Sequence, residues 1–84
     1  MARDEIKEEL TAIIADLFLL KPKYVKEESD FRNDFELDSI DEVNLMMEIE
    51  TTFGISISDE EWDSAHPRTV GDTISLIEQK LSKS

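Results

Sequence analysis

The chain has 84 residues, no cysteine, and 21 acidic against 9 basic residues, for a formal net charge of −12. That length fits one small domain, and the lack of cysteine excludes disulfides, thiol nucleophiles and thiolate metal sites. The charge repels phosphate backbones, which argues against nucleic-acid binding, and it speeds encounter with basic protein patches.

Apolar residues make up 39% of the chain and recur with regular spacing, unlike a disordered acidic tail. Met1 leads directly into Arg3-Asp4-Glu5, and no apolar run is long enough to span a bilayer. A cytoplasmic protein without a membrane segment is therefore expected. The first helix is expected from Asp4 to about Leu20, because Ile6, Leu10, Ile13, Ile14, Leu17 and Phe18 recur at steps of three and four. Pro22 is the expected stop, since the residue before a proline is pushed out of the helical region. The connection from Lys21 to Asp38 is long for so small a domain. Its Tyr24, Val25, Phe31 and Phe35 should pin it to the core, around a short helical turn.

The second helix should begin at Asp38 or Ser39 and end at Gly54, which can turn left-handed without steric cost. Ser39-Ile40-Asp41-Glu42 fits a capping box, and that role alone accounts for a serine there. At about 100° per residue, Leu45, Met46, Ile49 and Phe53 share one face. Ile40, Val43 and Met47 share another, next to Asp41, Glu48 and Glu50. A bundle helix needs only one apolar stripe, so the second is either an exposed docking surface or the mark of a helix buried on both sides.

Ile55-Ser56-Ile57 alternates like a strand but has no partner, and is read as loop. Ser58-Asp59-Glu60-Glu61 opens a short third helix that cannot pass His66-Pro67. Thr69 caps the last helix, with Val70, Ile74, Ile77 and Leu81 as its stripe. The expected fold is all-α: a single domain over 1–84, built as a small four-helix bundle with a long loop between helices 1 and 2 and a short third helix.

An EF-hand counted from Asp30 would put Arg32 at a ligand position and Phe35 where glycine must turn, so no EF-hand or other built metal site is expected, while loose divalent-ion binding by the clustered acids stays open. No carboxylate pair, glycine-rich loop or nucleophile–base set points to catalysis, and the chain is not read as an enzyme. His66 and Trp62 are read as a loop residue and a core or rim residue.

Phe35-Glu36-Leu37-Asp38-Ser39-Ile40-Asp41, followed by a helix ending in Phe53-Gly54-Ile55, resembles the acyl carrier proteins. The resemblance runs from about Ile6 to Leu81 and includes Val25, Phe31, Asp34 and the Thr69-Val70-Gly71-Asp72 helix entry. It implies that Ser39, with Asp38 as its motif neighbour, carries a covalent 4′-phosphopantetheine arm from coenzyme A, on which acyl groups ride as thioesters. It further implies an acyl pocket among Leu45, Met46, Ile49, Phe53 and Ile74. Implied partners are a phosphopantetheinyl transferase and acyl-processing enzymes with basic patches, docking on Ile40, Asp41, Val43, Met47, Glu48 and Glu50; the protein itself is expected as a monomer. Fatty-acid synthesis or a specialised acyl pathway fits best. A peptidyl or polyketide carrier, or an acidic interaction module without cofactor, stays open. The family often has Gly-Ala where Glu36-Leu37 stand here, and the Ala65-His66-Pro67-Arg68 connection is about two residues longer than usual.

A charge of −12 on 84 residues makes self-repulsion a cost of folding. Salt or magnesium added at low ionic strength should raise the melting temperature by screening it. A calorimetric series that stays flat would contradict this.

Overall fold

Helix α1 runs Arg3–Leu17 in the computed structural model of the protein, which describes residues 1–82. Ile6, Leu10, Ile13 and Ile14 are buried along one face, as their spacing requires. The helix ends short of Leu20 and before Pro22 is reached. Leu19 takes a left-handed conformation (φ 55°), and the Leu20 N–H donates to the Ala15 carbonyl at 2.9 Å. That backbone closure satisfies an orphan carbonyl of the last turn, so no proline is needed to stop the helix. Leu17 is consequently exposed and Phe18 only half-buried. Pro22 instead opens a 3₁₀ turn, Pro22–Tyr24.

The long connection is tied down by backbone hydrogen bonds to the entry of the last helix. Gly71 N–H donates to Glu27 O (2.9 Å), Val70 N–H to Ser29 O (3.1 Å) and Phe31 N–H to Arg68 O (2.9 Å). A Cβ at Gly71 would lie 3.2 Å from the Glu27 carbonyl, so this approach favours glycine. Val25 and Phe31 are buried and Phe35 is half-buried, its ring centroid 6.4 Å from that of Phe31. Tyr24 departs from expectation: it closes the 3₁₀ turn on the solvent side, with Lys23 Nζ 5.2 Å from its ring centroid. Arg3 joins three segments, reaching Glu27 at 2.8 Å and Glu78 at 2.6 Å.

Helix α2 spans Ser39–Phe53 and ends at Gly54 in the left-handed region (φ 65°). Residues 55–57 form a loop with Ile57 buried. Helix α3, Asp59–Ala65, is capped by Ser58, whose hydroxyl accepts the Glu61 N–H at 3.0 Å while Glu61 takes the Ser58 N–H at 3.0 Å. His66 turns left-handed (φ 46°) and Pro67 is buried beyond it. Helix α4 spans Val70–Ser82. Thr69 Oγ1 accepts the Asp72 N–H at 3.1 Å, and Val70, Ile74 and Ile77 are fully buried while Leu81 is half-buried. Helix α1 packs on both α2 and α4 around one core. The described residues thus form an all-α arrangement of four helices, with no helix long and apolar enough to cross a membrane.

Helix α3 buries no residue fully, and its attachment includes an ion pair from Lys80 Nζ to Glu61 Oε2 at 2.6 Å. Lys80, followed by the Ser58 backbone N–H, lowers the Glu61 carboxyl from 4.5 to about 2. A depressed folded-state pKa contributes stability that is present above the unfolded value and lost as pH falls from about 4.5 toward 2. In Lys80→Met, the Glu61 titration midpoint followed by NMR should rise toward the ordinary carboxylate value. Amide exchange should quicken in α3 but not in α1; an unmoved midpoint would show that the pair does not form.

Candidate functional site

Two registers could cap the start of α2, and they leave different side chains free. The structure adopts the one led by Asp38. Its carboxylate accepts the Asp41 N–H at 2.9 Å, and its own N–H donates to the Asp41 carboxylate at 3.1 Å. The expected Ser39–Glu42 box therefore does not form. Aspartate and serine are about equally good caps, so local preference does not decide between them. The approach loop does. Leu37 is buried and its N–H donates to the Phe31 carbonyl at 2.9 Å, which fixes where the chain enters the helix. Glu36, at the place where the family resemblance expects glycine, takes the left-handed conformation all the same (φ 57°). A non-glycine residue there costs roughly 1–2 kcal/mol, which the anchored flanks must offset.

Ser39 is thereby the first residue of the helix, exposed, and its hydroxyl makes no hydrogen bond among the described residues. Among the described residues the backbone N–H groups of Ser39 and Ile40 also have no partner, and they sit at the positive end of the helix dipole. Glu42 is turned to Arg32, 3.1 Å from its Nη2.

Past its first turn, α2 separates its stripes. Leu45, Met46, Ile49 and Phe53 are buried, as is Ile74 from α4. Ile40, Val43 and Met47 are 71%, 49% and 56% exposed, so this helix is not buried on both sides. Asp41 is half-buried in its cap and Glu48 is exposed. Glu50 differs from expectation: its carboxylate accepts the Ile57 N–H at 2.8 Å, tying it to the α2–α3 connection.

A cleft of about 310 Å³ opens beside Ser39, between the start of α2, the long connection and α3. Arg32, Val43, Trp62, His66 and Arg68 are among the residues that line it. His66 belongs to a loop remote from Ser39 in sequence, yet the fold brings both to one cleft, without a hydrogen bond between them. Arg32 and Arg68 were not singled out by their spacing; only the length of the two connections hinted that these loops fold over α2. None of the five expected acyl-pocket residues lines this cleft.

Known proteins resemble the chain in sequence and in fold. The family described as "Phosphopantetheine attachment site" matches residues 8–77. The chain is 38% identical over 82 residues to an acyl carrier protein of Thermosynechococcus vestitus, covering 98% of this chain and 99% of that one. It is 37% identical over 81 residues to an acyl carrier protein of Coprothermobacter proteolyticus, covering 96% of each. A solved structure of the acyl carrier protein from Enterococcus faecalis superposes with a TM-score of 0.74 at 29% identity, over 95% of this chain and 99% of that one. Matched nearly end to end in sequence and in fold, the chain belongs to the acyl carrier protein family, whose members bear a covalent 4′-phosphopantetheine.

Proposed function

We propose that Ser39 is the attachment point of the arm, and that the protein carries acyl intermediates between biosynthetic enzymes. The observation that carries this reading is the cap register: Asp38 occupies the capping role, so the exposed Ser39 hydroxyl has no structural duty. A phosphodiester at that position would meet the unpaired N–H groups of Ser39 and Ile40. The arm supplies a thiol, which this cysteine-free chain lacks. Among the described residues no base hydrogen-bonds the Ser39 hydroxyl, so attachment falls to a separate transferase. The protein acts as a monomeric, cytoplasmic carrier and not as a catalyst. A fatty-acyl or specialised acyl pathway is favoured over a peptidyl or polyketide one by the full-length likeness to free-standing acyl carrier proteins.

Partner enzymes dock on the outer stripe of α2. Ile40, Val43 and Met47 supply apolar contact starting one residue after Ser39, with Asp41 and Glu48 alongside and Glu50 contributing charge from its loop contact. A partner seated there has its active site where the arm emerges. The acids set the encounter rate and the apolar residues much of the affinity.

Incubation with coenzyme A and a phosphopantetheinyl transferase should add one arm to the wild type and none to Ser39→Ala, read by intact mass. A wild type that several transferases leave unmodified, or labelling that survives Ser39→Ala, contradicts the assignment. With the same transferase, Asp41→Lys together with Glu48→Lys should slow association and flatten its salt dependence. Met47→Ala should instead raise the off-rate, at a cost on the order of 1 kcal/mol. Unchanged kinetics in folded variants would place the docking face elsewhere.

A further inference from the structure

Trp62 is the single tryptophan of the chain, set in an otherwise small and polar helix, Asp59–Ala65. It is half-buried and faces two ways: it lines the cleft beside Ser39, and it packs against the buried core. Its helix is fixed at both ends, by the Ser58 cap and the Glu61–Lys80 pair on one side and by buried Pro67 on the other. The indole thus stands where the cleft meets the buried core.

We infer that Trp62 is a specificity-determining residue that limits the shielded cargo to short acyl groups, held in the Ser39 cleft and barred from the core. The inference rests on the proposal that Ser39 bears the arm. A cleft of about 310 Å³ holds the volume of roughly ten water molecules. Phe31, Val43, Trp62 and Pro67 give it an apolar side. Its two arginines are already engaged, Arg32 with Glu42 at 3.1 Å and Arg68 with Asp30 at 4.0 Å. A longer chain either stays in solvent or must displace the indole from the core.

The test uses the holo protein loaded on its arm with acetyl, butyryl, hexanoyl, octanoyl or decanoyl groups, with loading confirmed by intact mass and mapped to Ser39. The emission of Trp62 and the melting temperature are then followed along the series. In the wild type both should shift over the short chains, the emission toward the blue and the melting temperature upward, and then level off. In Trp62→Ala the melting temperature should go on rising through decanoyl; Trp62→Leu serves the same purpose if the alanine variant does not fold. A wild type whose melting temperature climbs throughout the series, or whose emission is the same in holo and all acylated forms, overturns the inference while leaving the carrier reading intact. Failure to load at Ser39 overturns both.

Discussion

The hydrogen bond from the Asp41 N–H to the Asp38 carboxylate, at 2.9 Å, settles which residue starts α2 and which is left over. With the cap one residue later, Ser39 would have been held by the helix it begins. With the cap on Asp38, Ser39 stands on the first turn with a free hydroxyl and two free backbone donors beside it. The register follows from the approach loop, where buried Leu37 and left-handed Glu36 deliver the chain to the helix at one point. That loop in turn depends on backbone bonds from Glu27, Ser29 and Phe31 to the entry of α4. The long connection therefore works as the scaffold of the site.

The distribution of charge follows the same division. Five cationic side chains stand at joints between elements: Arg3 and Lys7 toward Glu27, Arg32 toward Glu42, Arg68 toward Asp30, and Lys80 toward Glu61. They act where two elements must stay together, though each exposed pair contributes little by itself. On α2, Glu48 has no ion-pair partner among the described residues.

Much of this was legible in the residues. Spacing of three and four separated the buried and exposed stripes of α2, because one side of a helix in a small bundle faces water. Gly54, Ser58 and Thr69 marked their boundaries through cap chemistry that is local. What could not be read depended on tertiary context. Helix α1 closed on its own carbonyls before Pro22, with a leucine in a conformation usually left to glycine. Asp38 and Ser39 are equivalent caps by propensity, and only the anchored loop chose between them. Glu50 looked like a free acid on the docking side, but a loop seven residues on supplied it with the Ile57 N–H. The meeting of Ser39 with Trp62 and His66 around one cleft joins the start of α2 to the end of α3, two segments that no local pattern connects.

The central claim is that Asp38 caps α2 and Ser39 does not, and comparing the thermal stability of Asp38→Ala with that of Ser39→Ala tests it most directly. The account predicts a loss on the order of 1 kcal/mol for Asp38→Ala, the usual cost of removing a cap. Ser39→Ala should fall within about 0.5 kcal/mol of the wild type, as for a surface position with no contact to lose. The reverse order, with Ser39→Ala the more destabilised of the two, would mean that the serine is held by the helix, and would contradict the account.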